Sequence, residues 1–308
     1  MNTVSITQFQ PDDFSEIVDL LHRELFADTV TADDFHRKVL LDPNFRPEGA
    51  LTARANGKKV GFILAILRKT NLEDALPDFD RGWITLFAVD RNHRRMGIGG
   101  LLLDGALKYL QAGGAKSAWV SPYAPNYFMP GVDEAAYPDA IDFLKKHGFQ
   151  VAYRPLSMEA HLTGFRIPEW VREIESMLAD EGTVIGPLQN QDLPSLMNLL
   201  HREFPGDWQR LVRETTGSSG RIFTAMKGNE CLGFSRHAGE RFGPFGVAPS
   251  ARAQGIGAVL LAHCLLSMRN DGLQSAWFMW TDDHAARLYS RLGFQETRRF
   301  SVMKKEWC

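Results

Sequence analysis

The chain has 308 residues, with 35 Lys and Arg against 37 Asp and Glu, a formal net charge of −2. That length suits about two domains, and so small a charge offers no field to draw in nucleic acid or an anionic membrane. No apolar run approaches the ~20 residues that span a bilayer. The opening MNTVSITQFQPDDF lacks a signal-peptide pattern, and three scattered cysteines (Cys231, Cys264, Cys308) suit a reducing cytoplasm better than disulfides or a zinc site.

Taken in order, the chain repeats itself. A strand is expected over Val4 to Phe9, then a polar turn with Pro11, then an amphipathic helix ending in Leu20-Leu21-His22-Arg23-Glu24. The same plan returns with Thr183 to Leu188, Pro194 and Leu199-Leu200-His201-Arg202-Glu203, offset by 179 residues. His22 and His201 lie far from the loops described next, and the shared block reads as inherited helix structure.

Hairpins follow in both copies. Leu51 to Arg54 and Val60 to Leu64 flank Asn56-Gly57, and Ile222 to Met226 and Cys231 to Phe234 flank Gly228-Asn229. The offset then falls from 172 to 158, so the first copy holds 14 extra residues, including a polar loop over Asn71 to Arg81. Each copy next has a strand, a Gly-rich turn and an apolar helix. In the first, Leu86-Phe87-Ala88-Val89 leads to Arg94-Arg95-Met96-Gly97-Ile98-Gly99-Gly100. In the second, Phe245-Gly246-Val247 leads to Arg252-Ala253-Gln254-Gly255-Ile256-Gly257-Ala258. Backbone N–H groups unshielded by Cβ, at the positive end of a helix, make a seat for a phosphate or pyrophosphate.

A further strand is expected at Ser117 to Val120 and at Ser275 to Phe278. The copies close on Ala140 to Phe149 and Ala285 to Phe294, each a helix stopped by glycine and followed by a strand. Here the offset is 145, which leaves 13 more extra residues in the Pro- and aromatic-rich segment Pro122 to Pro138. A long loop of this kind is a candidate for binding, as an acceptor lid or a contact between domains. The fold class read from this order is α/β with mixed α+β sheets, in two tandem domains of one ancestry. Their expected bounds are 1–162 and 183–308, joined by a linker helix within 163–182.

The second copy resembles the GNAT acetyltransferase superfamily. Arg252 to Ala258 is similar to the family's acyl-CoA pyrophosphate loop, Arg/Gln-x-x-Gly-x-Gly/Ala. Phe245-Gly246-Val247 stands where members bind the pantetheine arm through strand backbone. Ala285-x-x-Leu288-Tyr289-x-x-x-Gly293-Phe294 is similar to the late helix whose tyrosine protonates the departing CoA thiolate. The first copy matches the loop through Arg94, Gly97 and Gly99, with Ala88 and Val89 before it, but has Leu144 where the second has Tyr289. The resemblance thus implies two tandem GNAT-like acyl-CoA N-acyltransferase domains. It implies acetyl-CoA as cosubstrate without a metal, and a first domain that is degenerate in catalysis.

Moving an acetyl group from a thioester to an amine needs an amine without its extra proton, donors for the oxyanion and an acid for the thiolate. Tyr289 is the expected acid. The family's strand glutamate has no counterpart in Trp83 to Val89 or Gly243 to Val247, so Asp282 and Glu240 are the candidates to deprotonate or orient the amine. Asp282 stands where the family often has asparagine. Trp280 is a candidate platform for a sugar ring. The expected activity is N-acetylation of a small molecule's primary amine, with aminosugars among the acceptors. A non-catalytic acyl-CoA-binding regulator is the alternative, because no clear base is visible.

Overall fold

The computed structural model describes residues 4–70, 78–216 and 220–307. Residues 71–77 of the expected polar loop, and Cys308, lie outside them. The chain forms two compact units. One takes the described residues up to Pro155 together with those from Arg299 onward, and the other takes Leu156–Arg298.

The first unit begins with β1 (Val4–Gln8), α1 (Phe14–Glu24) and the short α2 (Ala32–Phe35). The strands β2 (Ala50–Ala55), β3 (Lys58–Leu67) and β4 (Arg81–Val89) follow, then α3 (Ile98–Ala112). Then come β5 (Ser117–Val120), β6 (Val132–Asp133), α4 (Pro138–Lys146) and β7 (Gln150–Tyr153). Strands β1 to β4 pair antiparallel in sequence, and β4 runs parallel to β5. Two apolar layers sandwich the sheet. On one face α3 buries Ile98, Leu102, Leu103, Ala106 and Leu110, spaced as one helical stripe. On the other, α1 and α2 bury Ile17, Leu20, Leu21 and Phe35 against Phe62 and Trp83.

The second unit holds β8 (Leu156–His161), α5 (Glu169–Asp180), β9 (Thr183–Pro187), α6 (Leu193–Glu203) and α7 (Trp208–Thr216). It continues with β10 (Arg221–Lys227), β11 (Glu230–Ala238), β12 (Arg241–Val247), α8 (Ile256–Asn270), β13 (Ser275–Thr281) and α9 (Asp283–Arg291). Strands β9 to β12 pair antiparallel, and β12 runs parallel to β13. The sequence reading named neither α2 nor α7. Helix α8 is apolar over most of its circumference, burying Val259, Leu260, Leu261, Ala262, Cys264, Leu265 and Met268. Helix α5, expected as a linker, packs on α8 within this unit, where Glu175 Oε1 meets His263 Nε2 at 2.6 Å.

The last strand, β14 (Gln295–Glu306), carries the chain from the second unit into the first at 298/299. Its Met303 to Glu306 pair antiparallel with β5, and Val302 to Lys304 pair with β7, so β14 lies between them. In the second unit, β8 pairs with β13 from Ser275↔His161 to Thr281↔Leu156. Each unit therefore completes its sheet with a strand from the other half of the sequence. The exchange is invisible to a repeat search, because both strands sit in equivalent sequence positions.

Candidate active site

The Gly-rich turns adopt one geometry twice. Arg95 and Gly97 have φ of 62° and 80°, and Ala253 and Gly255 have 63° and 87°, each pair 158 residues apart. Such alternation turns successive N–H groups toward one concavity, a form suited to an anion. Gly97 is the N-cap of α3 and Gly255 of α8, and neither helix start is capped by a side chain. The first-turn N–H groups thus stand ready for a ligand.

The leading arginines do not reach into these turns. Arg94 Nε donates to the Val89 carbonyl at 3.1 Å, and Arg252 Nε to the Val247 carbonyl at 3.3 Å. Arg94 also binds the buried Glu24 at 2.8 Å, as does Arg91 at 3.3 Å. Glu24 closes the repeated Leu-Leu-His-Arg-Glu block, so in the first unit that block clamps the loop. Its counterpart Glu203 pairs instead with Arg202 at 2.7 Å. The turns differ in one more respect. A Cβ at Gly255 would come within 2.4 Å of Ile174 Cγ2 from α5, whereas nothing lies within 4 Å of one at Gly97.

Upstream of each turn the parallel strands part. In the first unit β4 and β5 stay in register from Arg81↔Ser117 to Ile84↔Val120. There β5 ends while β4 continues through Ala88 and Val89. In the second unit Arg241↔Trp277 is the register pair that joins β12 to β13. The stretch Phe245-Gly246-Val247 therefore pairs with β11 on one side and, among the described residues, with no strand on the other. Such an edge offers backbone N–H and C=O groups to an extended ligand. A bulge marks both wedges at one position. Gly243 and Pro244 oppose the single residue Arg236 on β11, and Thr85, 158 residues earlier, is the extra residue on β4.

Tyr289 occupies the second wedge. Its ring lies 6.0 Å from Phe242 and 5.9 Å from Phe245 on β12, and 4.5 Å from Phe278 on β13. Phe294 closes the cluster at 5.5 Å. Burial, and then the charge of Asp282, push the phenol well above the usual tyrosine range, while a hydrogen bond with Thr281 acts the other way. The group is thus a protonated donor at any working pH. In the first unit Ile84, Val120, Leu144 and Phe149 stand at the equivalent positions, with no hydroxyl among them.

The two carboxylates expected to act on the amine serve the backbone. Asp282 is the N-cap of α9, accepting from Ala285 N at 2.7 Å through Oδ1. Glu240 Oε1 accepts from Gln274 N at 3.2 Å and from Ser275 N at 3.1 Å. It precedes the start of β12, about 20 Å of strand from Val247 at ~3.3 Å per residue. Glu240 thus stands at the far end of β12 from the turn, two residues before Phe242, whose ring lies 6.0 Å from that of Tyr289.

Trp280 is exposed near the end of β13. The aromatic loop of the first unit is built into that unit: Tyr123 donates to Asp42 Oδ1 at 3.1 Å, Phe128 is buried, and β6 pairs with Phe300 and Ser301 of β14. Cys231 and Cys264 are buried and unbridged, and burial pushes both thiols up, so they are core residues. Among the described residues no helix is long and apolar enough to cross a membrane. The sequence reading missed the polar run Ser235-Arg236-His237 in the middle of β11. The signal was there, since the first copy has Ile63-Leu64-Ala65 at the same place.

Residues 14–149 match a family model described as Acetyltransferase (GNAT) family, and residues 218–296 one described as Acetyltransferase (GNAT) domain. Among solved structures, the chain is similar to the GCN5-related glucosamine N-acetyltransferase region of a fungal multi-domain GH3 beta-N-acetylglucosaminidase. The TM-score is 0.78 at 18% identity, over 99% of this chain and 38% of that one. It is also similar to a GCN5-related N-acetyltransferase from Sphaerobacter thermophilus, with TM-score 0.70 and 17% identity over 98% and 95% of the two chains. A tandem GNAT protein from the clavulanic acid biosynthesis pathway gives TM-score 0.61 and 16% identity over 99% and 98%. At these identities the likeness is one of fold. No curated protein matches the sequence.

Proposed function

Because this chain belongs to the GNAT acetyltransferase family, we propose that it moves the acetyl group of acetyl-CoA to the primary amine of a small molecule, with the chemistry in the second unit. The observation that carries this reading is Tyr289, a protonated phenol held between the parting strands β12 and β13 where the first unit has Leu144.

The chain's residues fit such a cosubstrate. The N–H groups from Ala253 to Gly257 would seat the pyrophosphate, with Ala258 N already donating to the Gly255 carbonyl at 2.9 Å, on the strength of the left-handed φ at Ala253 and Gly255 and the absence of a side-chain cap on α8. The unpaired edge of Phe245-Gly246-Val247 would hold the pantetheine arm. Acetyl-CoA supplies a thioester carbonyl and a thiolate leaving group. Tyr289 would give that sulfur its proton, a contribution of about 10²–10⁴-fold for a placed acid. Asp282 holds the start of α9, and so positions Tyr289 rather than taking the amine's proton. Arg94 to Gly100, with Ala88 and Val89, would form a second acyl-CoA seat without an acid beside it.

Glucosamine is the acceptor to try first, because the fungal region that shares this fold is described as a glucosamine N-acetyltransferase region. The test is a screen of small amines with acetyl-CoA, read as free thiol. Turnover that Tyr289→Phe lowers supports the reading. Thiol release that Tyr289→Phe leaves unchanged removes the acid role. The commitment of Asp282 and Glu240 to backbone N–H groups favours the second reading, an acyl-CoA-binding regulator. No release with any amine, together with tight acetyl-CoA binding, is its signature.

A further inference from the structure

We propose that the second unit takes an acceptor bearing an oxyanion, a carboxylate or a phosphate, close to its amine, and that Arg236 is the residue that binds it. This rests on the reading that the second unit is catalytic.

Arg236 lies in the middle of β11, 6% exposed. Its Nη1 donates to the carbonyl of the bulge residue Gly243 at 2.8 Å, and its Nε donates to Thr215 Oγ1 of α7. Among the described residues no carboxylate forms an ion pair with it. A guanidinium carries five N–H donors in a rigid fork. Two are used, and of the other three the pair on Nη2 has no hydrogen-bond partner among the described residues. The charge of Glu214 on α7 acts on this guanidinium, but that carboxylate is paired with Arg210, so an added anion would offset a burial cost that nothing else in direct contact relieves. The first unit avoids that cost at the same position with Leu64.

A second buried group points the same way. Gln209, on the inner face of α7 with Val212 and Thr215, is 4% exposed, and its Nε2 is buried without a hydrogen-bond partner among the described residues. Beside it, Trp208 stacks on Phe204 at 4.9 Å, and Phe204 lies over Gly246 of β12. Two unused donors and an aromatic wall thus share the α6–α7 side of the sheet.

This side is the one an amine would come from. Strand alternation puts Phe245 toward Tyr289 and Gly246 toward Phe204, so Tyr289 and Arg236 flank β12 from opposite faces. Gly243, which Arg236 holds, lies between Phe242 and Phe245, and both of those rings touch Tyr289. An oxyanion on Nη2 is therefore a short step from the wedge, and the acceptor it selects is compact. An α- or β-amino acid and a phosphorylated aminosugar share this chemistry.

Matched pairs of amines separate the sources. β-Alanine against β-alaninamide tests the carboxylate, and glucosamine 6-phosphate against glucosamine tests the phosphate, each at saturating acetyl-CoA. We expect the anionic member of one pair to be favoured by about 10²-fold in kcat/KM, carried mostly by KM. That preference should fall to about one in Arg236→Met and recover in part in Arg236→Lys. Gln209→Leu, which keeps an apolar helix face, should lower it less. Titration calorimetry of the same anions without acetyl-CoA reads the site independently of turnover. If no amine is acetylated but a probe anion binds wild type and not Arg236→Met, the catalytic reading fails and the anion site stands. Equal use of both members in both pairs, or a preference that survives Arg236→Met in a variant that still binds acetyl-CoA, overturns the proposal.

Discussion

Tyr289 of α9 and Phe278 of β13 lie ring against ring at 4.5 Å, so the phenol is fixed to the strand from which β12 diverges. A group that must meet a departing sulfur gains from such restraint, because orientation lowers the barrier as surely as acidity does. Tyr289→Phe keeps the ring and its four aromatic neighbours and removes the hydroxyl alone. We expect melting within a few degrees of wild type, unchanged KM for acetyl-CoA, and kcat lower by about 10²–10⁴-fold. Thiol release under saturating substrates measures it, and an unaltered kcat rules out this proton donor.

The two Gly-rich turns should respond differently to one methyl group. Alanine at either cap must adopt positive φ, at about 1 kcal/mol. At Gly255 it also meets Ile174 Cγ2 at 2.4 Å, while at Gly97 it meets nothing within 4 Å. Gly255→Ala is therefore expected to lower Tm more than Gly97→Ala, and to raise KM for acetyl-CoA several-fold if the second unit does the chemistry. A larger loss of turnover in Gly97→Ala assigns catalysis to the first unit instead.

Glu240 offers a clean negative. Its carboxylate is bonded to Gln274 N and Ser275 N, where β13 begins. Glutamine retains the accepting Oε1 and discards the charge. Glu240→Gln should hold kcat/KM within about 2-fold of wild type at every pH. A loss of 100-fold or more in steady-state assays restores Glu240 as a base.

The exchange of strands predicts which fragments fold. Phe300, Val302 and Met303 of β14 are fully buried in the first unit, where β14 pairs with β5, β6 and β7. A fragment of residues 1–162 lacks them and leaves the β5 edge open, so it should aggregate or remain unfolded. Met303→Ala in the full chain should cost about 2–5 kcal/mol. Chemical denaturation reads the variant and circular dichroism reads the fragment. A cooperative transition in 1–162 alone contradicts the exchange.

How much of this was legible beforehand depended on periodicity. The Gly-rich turns, the hairpins and the closing helices were readable, because each is a local signal repeated at a steady offset. The linker helix was readable from Trp170, Ile174, Met177 and Leu178, but its packing on α8 was not, since no local pattern names a partner. The strand exchange was hidden for the same reason: β8 and β14 occupy matching sequence slots whichever sheet they join. Asp282 and Glu240 were chosen by proximity in sequence to the wedge. In the fold both accept hydrogen bonds from backbone N–H groups, Asp282 at the start of α9 and Glu240 at the start of β13. Arg236 was overlooked because a mid-strand arginine draws notice only beside its counterpart Leu64.

The pH dependence of turnover follows from which groups titrate at the wedge. The acceptor must lose a proton to attack, so kcat/KM should climb with pH until the amine itself is neutral. Tyr289 works in its protonated form, and its ionisation is pushed above the usual tyrosine range of about 10, first by burial and then by Asp282. A raised acid stays protonated below its shifted value, so the profile should show no fall up to about pH 10. Tyr289→Phe should lower the whole curve without changing its shape. A descending limb near pH 9 in wild type that the variant abolishes means that this phenol ionises freely, and that the aromatic cluster around it does not shield it.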